Sequence, residues 1–287
     1  MTDNSHSLPK NSGMSPDEPA SALEVRDVTA GYGDRMVLRN LSCRMPSGGC
    51  SGIIGPNGSG KTTLLRVLSG ALVPVSGWVG LEGRLLRDMP RRALARRMAC
   101  VPQFLDIPVS FTVEELVALG RTPHVSPLRA LGEHDRLVIR EAMHMTDLTG
   151  REDRLMDELS GGERHRCRIA MALAQEPEWL LLDEPTAHLD IKHAWEMMDL
   201  IDRLRLKKGM TVIFTSHDLN LAAAFASSVI LLKEGAIAAS GPPASIMEER
   251  ILTGVYDYPL RVWRAESGAG PVICPLRDSG ADRHQNP

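Results

Sequence analysis

Residues 55–62 read Gly55-Pro56-Asn57-Gly58-Ser59-Gly60-Lys61-Thr62, and no other stretch constrains the fold of this chain so tightly. An apolar run closing on Ile53-Ile54 precedes it, and Lys61-Thr62-Thr63 opens a helix-forming run. The order strand, glycine-rich turn, helix lets successive backbone N–H groups face one anion. The helix N-terminus adds partial positive charge at the same place. Lys61 supplies a full charge for the β- and γ-phosphates of a nucleotide, and Thr62 a hydroxyl for Mg²⁺. Alone, the motif leaves kinases and GTPases open. The lack of an Asn-Lys-x-Asp base-reading motif counts against a GTPase.

Apolar stretches bounded by turn residues predict strands at 23–28, 50–54, 99–101, 179–182, 211–215 and 229–232. Helical periodicity follows several of them, at 61–69, 161–174, 194–206 and 219–226. Strands alternating with helices predict an α/β core with a mostly parallel sheet, whose ligands gather at the strands' carboxyl ends. Residues 106–175 depart from that alternation. Their pattern predicts helices at 112–119 and 133–145, an inserted helical subdomain. Residues 1–20, rich in Ser, Pro, Asn and Asp, are expected to be a disordered tail. The folded domain is expected over 21–260. A strand end and then, from about residue 265, a second flexible tail should complete the chain.

The run Trp179-Leu180-Leu181-Leu182 ends in Asp183-Glu184-Pro185. Asp183 is suited to hold Mg²⁺ through its water shell. Glu184, one residue further out, is placed to orient or deprotonate an attacking water. Leu159-Ser160-Gly161-Gly162-Glu163 has its own physical reading: Ser160 and Glu163 form a capping box for the helix that follows. Two glycines just inside a capped helix start expose N–H groups to an anion.

Taken together, residues 22–258 resemble the ATP-binding cassette (ABC) ATPases, and the order of these motifs carries the resemblance. It implies a P-loop, RecA-like core with N-terminal antiparallel strands, and ATP with Mg²⁺ as ligands. In that family Ser160, Gly161, Gly162 and Glu163 would close over the γ-phosphate held by the P-loop of a second copy. The implied assembly is a head-to-tail homodimer, in which a monomer binds nucleotide but hydrolyses it poorly. By the same resemblance Tyr32 stacks on adenine, and Gln103 senses Mg²⁺ and links to the helical subdomain. Asp190 lies at the subunit interface, and His217 contacts the γ-phosphate. One departure is Arg164-His165-Arg166-Cys167 after the signature, where the family often has Arg-Gln-Arg-Val. Met171 also replaces a usual arginine. Both positions support the helix rather than the chemistry.

Other features narrow the partners. Net charge is −3, which gives no reason to expect nucleic acid or an anionic membrane surface. The five cysteines are scattered without a CxxC pair, so idle thiols in a reducing compartment are expected. No apolar run reaches the ~20 residues of a membrane span. The N-terminus shows no secretory pattern. The arginines of 84–97 read as one solvated helix face, and His188, Asp190 and His193 as loop and helix residues rather than a metal site. One P-loop and one signature argue against two-cassette translation factors. The short spacing from Lys61 to Ser160 argues against the DNA-repair members. The resemblance then implies the ATPase subunit of a membrane importer, peripheral on the cytoplasmic face of the inner membrane. It would pair with permease subunits on separate chains and, indirectly, with a substrate-binding protein. Leu119-Gly120-Arg121-Thr122-Pro123-His124, Ser216-His217-Asp218-Leu219-Asn220 and Val255-Tyr256 resemble importers of iron–siderophore, haem or cobalamin. Zinc or manganese importers, exporters, and a soluble ABC ATPase with a non-membrane partner remain as alternatives.

Overall fold

Two long antiparallel strands begin the described chain, β1 (Ala22–Tyr32) and β2 (Arg35–Pro46), and β3 (Cys50–Ile54) then runs into the glycine-rich turn and α1 (Lys61–Leu68). This is a computed structural model, describing residues 22–103, 111–126, 129–264 and 270–276. β4 (Ser76–Leu81) and β5 (Arg84–Leu85) return to the first sheet, and α2 (Arg91–Arg97) leads into β6 (Met98–Val101). A helical layer follows, with α3 (Val113–Ala118), α4 (Glu133–Met145) and α5 (Gly161–Leu173). The core resumes with β7 (Trp179–Leu182), α6 (Ile191–Lys208), β8 (Thr211–Ser216), α7 (Leu219–Phe225), β9 (Ser228–Lys233) and β10 (Ala236–Gly241). The described chain closes with α8 (Pro243–Ile246), α9 (Glu249–Tyr256), β11 (Leu260–Trp263) and β12 (Val272–Pro275).

Among the described residues the strand order of the central sheet is β10-β9-β3-β8-β7-β6, parallel except for β10. An antiparallel sheet, β2-β1-β4-β5, covers one side. Because side chains alternate along a strand, each central strand feeds two cores. Ile53, Leu181, Ile213 and Ile230 pack with α1 and the antiparallel sheet. Ile54, Leu180, Leu182, Phe214 and Leu231 pack with the helices of the other face. That is why β3, β7 and β8 are buried at every residue and read as apolar runs rather than alternating ones.

The helical layer is fastened by groups that a hydrophobic pattern does not reveal. Arg121 is 2% exposed. Its Nε donates to Asp135 Oδ1 at 2.9 Å, and its Nη1 donates to Ala174 O and Glu176 Oε2 at 2.7 Å each. Removing it strands a carbonyl and two carboxylates. Arg121→Met should lower unfolding free energy by about 2–3 kcal/mol, below the cost for a fully buried pair because Glu176 is half exposed. Urea unfolding measures this, and an unchanged midpoint would contradict it.

One expectation is extended and one corrected. The α2 arginines form an exposed face as expected, with Arg91, Arg92 and Arg96 all exposed, and that face also bonds: Arg92 donates to Pro123 O and Val125 O, each at 2.7 Å, and Arg96 to Pro123 O at 2.9 Å. Their guanidinium forks cap carbonyls of the helical layer, so α2 latches that layer to the core. The second tail, expected from about residue 265, includes an ordered strand: β12 pairs antiparallel with β11 from Leu260↔Pro275 to Trp263↔Val272. Its short apolar run follows Gly and Pro, and it is held by tertiary contacts rather than by local propensity. The expected tail at 1–20 and the start of the helical insertion at 106 lie outside the described residues.

Candidate active site

The strand order brings the predicted residues together. β3, β8, β7 and β6 are adjacent and parallel, so their carboxyl ends share one edge. β3 opens into the glycine-rich loop, β8 into His217, β7 into Asp183-Glu184, and β6 into Gln103. Residues far apart in sequence thus meet on one rim because three crossovers return the chain in the same direction.

The loop's glycines are required by its shape. Gly55 sits at φ 148° and Gly60 at φ 105°, where a side chain is strained. A Cβ on Gly55 would meet Leu232 O at 2.3 Å. Lys61 is buried, and its Nζ donates to Gly55 O at 2.9 Å and Pro56 O at 3.2 Å. An ammonium has three donors, so one remains beyond these two bonds. Burial holds the Lys61 pKa below the ordinary lysine value, while the negative charges of Glu184 and Asp183 pull it the other way. Ser59 Oγ is buried with no hydrogen-bond partner among the described residues, a polar atom poised inside the loop.

Asp183 Oδ1 accepts from Thr215 Oγ1 at 2.7 Å and from Thr62 Oγ1 at 3.1 Å, joining β7, β8 and α1 at one atom. Glu184 adopts φ 49°, a left-handed backbone that costs about 1–2 kcal/mol for an L-residue. Its N–H donates to Thr215 Oγ1 at 2.8 Å, which helps hold that turn. The turn aims the carboxylate at two other predicted residues. Gln103 Nε2 donates to Glu184 Oε2 at 2.8 Å, and His217 Nδ1 lies 3.6 Å from the same oxygen. His217 is otherwise solvent-facing.

The remaining predicted residues lie around this rim or apart from it. Tyr32 ends β1 with its side chain exposed. Arg66 of α1 donates to Tyr32 Oη at 3.0 Å, with its guanidinium 5.8 Å from the ring centroid. Ser160 caps α5 as predicted, and its N–H and hydroxyl both bond Glu163 Oε2, at 2.9 and 2.8 Å. Those bonds and Arg151 push the Glu163 carboxyl down to about 2. The recorded bonds of this signature segment stay within the helical layer, and none joins it to the chain's own glycine loop. Asp190 caps α6, accepting from His193 N at 2.9 Å and pairing with the His193 ring at 2.7 Å. In the departing segment, Arg164 binds Leu159 O and Asp157 O at 3.0 Å each, and Cys167 is buried against α3. These are packing roles, and they leave the rim untouched.

Three contributors escape sequence reasoning. Thr215 is a strand-end threonine with no motif of its own. Arg66 is one cation on a helix. Arg168 of α5 donates to Gln103 O at 3.4 Å, linking the signature helix to the β6 loop.

A glycine loop, a buried lysine and an acidic strand end sharing one sheet edge define a P-loop nucleoside triphosphatase. The chain belongs to the ABC transporter family, whose model matches residues 38–187. It is therefore an ATP hydrolase of the ABC type. It is 39% identical over 259 residues to the ferric enterobactin transport ATP-binding protein of Escherichia coli (strain K12), covering 90% of this chain and 96% of that one. It is 38% identical over 265 residues to the hemin import ATP-binding protein of Rhodococcus jostii (strain RHA1), covering 92% and 90%. Among solved structures, an inward-facing metal-chelate type ABC transporter superposes with a TM-score of 0.79 at 28% identity, covering 90% of this chain and 98% of that one. A dimeric bacterial ABC transporter cassette gives 0.67 at 30% identity, covering 77% and 98%.

Proposed function

We propose that this chain is the ATP-hydrolysing subunit of a membrane importer for a metal chelate: iron–siderophore, haem or cobalamin. The observation that carries the proposal is the extent of identity to the ferric enterobactin relative. It runs through 96% of that protein, well beyond the motifs common to all cassettes. The hemin-import relative supports the same chemical class. Permease subunits on separate chains and a substrate-binding protein complete the assembly. Among the described residues no helix is long and apolar enough to cross a membrane. Attachment would then be peripheral, on the cytoplasmic face of the inner membrane.

Two copies pair head to tail, and the dimeric cassette neighbour supports that arrangement. Residues 55–62 of one copy hold ATP, and residues 160–163 of the other close over it. Asp190, exposed at the start of α6, lies at the join. In the site, Lys61 and the N–H groups of 58–63 bind the phosphates, and Tyr32 stacks on adenine. Mg²⁺ fits the donors present: the Thr62 hydroxyl and the Asp183 carboxylate are hard oxygens already gathered within 3.1 Å. Bound there, the ion would offset charge on the β- and γ-phosphates. Glu184 Oε2 is held by Gln103, which leaves Oε1 to take the proton of the attacking water. His217 reaches the γ-phosphate, and the Gln103 loop carries closure to the helical layer and the permease.

Base stacking of this kind is worth about 1–2 kcal/mol, so Tyr32→Ala should weaken ATP binding roughly 5- to 30-fold. Tyr32→Trp should preserve it, and equal dissociation constants for all three proteins would contradict the assignment. Function is tested by uptake. In cells lacking the native copy, the wild-type chain should restore accumulation of a labelled iron–siderophore, haem or cobalamin, and Glu184→Gln should not. Uptake of all three at full rate without the chain would refute the proposal.

A further inference from the structure

The C-terminal pair β11–β12 has outward edges that are bonded rather than free. At the register pair Val262↔Ile273 both amides point away from the ladder, as in a non-hydrogen-bonded antiparallel pair. Val262 N–H donates to Glu249 Oε1 at 3.1 Å, and Leu260 N–H donates to Thr253 Oγ1 at 3.2 Å. Both acceptors lie on α9. On the other edge, Ile273 N–H donates to Asn220 Oδ1 at 2.8 Å, and Asn220 Nδ2 donates to Ile273 O at 3.2 Å. One side-chain amide thus clamps both backbone groups of a single strand residue. Gly270 permits the close approach: a Cβ there would lie 3.2 Å from Ala223 O of α7.

Each end of this segment reaches an element of the active site. Asn220 is on the first turn of α7, three residues after His217. Asp218 fixes that turn by accepting from Asn220 N and Leu221 N. At the other end, α9 is clasped to β9: Lys233 Nζ donates to Gly254 O and Asp257 Oδ1, both at 2.8 Å. The end of β9 backs the glycine loop, through Leu232 beneath Gly55 and through Gly235 N–H donating to Ser59 O at 3.1 Å. Tyr256 Oη is buried without a hydrogen-bond partner among the described residues. Burial raises its pKa to about 12.

We propose that Asn220 is a positioning residue for ATP hydrolysis. Its amide ties the helix that follows His217 to a C-terminal strap anchored behind the glycine loop. The strap fixes the distance between the two elements that approach the γ-phosphate from the carboxyl ends of the adjacent strands β3 and β8. The inference rests on His217 acting at that phosphate. A histidine held only by a loop would sample positions that the strap excludes, and a misplacement of 1 Å is enough to slow chemistry about 100-fold.

The test uses the full chain with steady-state ATPase kinetics and nucleotide affinity measured separately. Asn220→Ala should lower kcat about tenfold while leaving ATP affinity within about twofold, because the phosphate-binding loop stays intact. Asn220→Asp keeps the acceptor for Ile273 N–H and loses the donor, so it should recover part of kcat. Ile273→Pro removes the outward N–H without touching the ladder and should reproduce the loss. Adding it to Asn220→Ala should cost little more, because both break one contact. Wild-type kcat in Asn220→Ala and Ile273→Pro would overturn the proposal. So would a kcat loss accompanied by an equal loss of nucleotide affinity and a lower melting point. His217→Ala separates the two levels: full turnover there would refute the role of His217 and this inference with it. Loss of turnover in His217→Ala alone would refute only the strap.

Discussion

Glu184→Gln should bind ATP as tightly as the wild type, turn it over about 10²–10⁴-fold more slowly, and accumulate as an ATP-loaded dimer. The substitution is nearly isosteric. The glutamine side-chain oxygen still accepts from Gln103 Nε2, as Glu184 Oε2 does at 2.8 Å, and the left-handed turn keeps its bond to Thr215. What is lost is the basicity of the atom facing water. Lys61 and the loop proposed to bind phosphate are unchanged, so the nucleotide should stay, and the closed dimer would have no hydrolysis step to reopen it. Size-exclusion chromatography with and without ATP, alongside phosphate release, measures both effects. Wild-type turnover would remove Glu184 from the chemistry.

Lys61→Ala should act at the earlier step. The ammonium is buried, bonded to two loop carbonyls, and the carboxylates of Asp183 and Glu184 interact with it. Truncating a buried charge that meets an opposite charge costs about 2–5 kcal/mol. That corresponds to at least roughly a 30-fold weaker affinity for ATP. Turnover should fall below detection. The loop would also lose the bonds that draw Gly55 O and Pro56 O inward, so its glycines should exchange amide hydrogen faster. Tight ATP binding by this variant would contradict the assignment of the loop.

Much of the core was legible because its signals are local. β3 and β7 are apolar runs that stop at glycine and at acid, β8 is one that stops before His217, and the sequence placed all three to within a residue. α4 and α5 announced themselves by period and, for α5, by the Ser160–Glu163 box. The long strand β2 was not resolved as an element: Arg35, Arg39, Arg44 and Ser42 interrupt its apolar positions, and register shifts in its pairing with β1 break strict alternation. The α2 arginines are exposed as expected, but their bonds were not legible, because the partners, Pro123 O and Val125 O, are backbone atoms with no sequence signature. β12 was missed for a related reason, since Asn220 holds it from 53 residues away. At the active rim the motif residues were readable one by one. Their convergence on Glu184 Oε2 depends on strand order, which periodicity does not encode. Arg168 and Thr215 act through that same tertiary geometry.

The hydrogen bonds of the signature segment lie inside the helical layer, and its proposed catalytic role is played on a second copy. Mixing two inactive variants tests this directly. Lys61→Ala has a broken glycine loop and an intact signature, whereas Ser160→Arg has an intact loop and a blocked signature. In a head-to-tail pair of one of each, one site joins two defects and the other joins the sound loop to the sound signature. Random pairing in a twofold dimer then restores ATP hydrolysis to about a quarter of the wild-type rate. If the two motifs worked within one chain, the mixture would stay as inactive as its components, and that result would contradict the account.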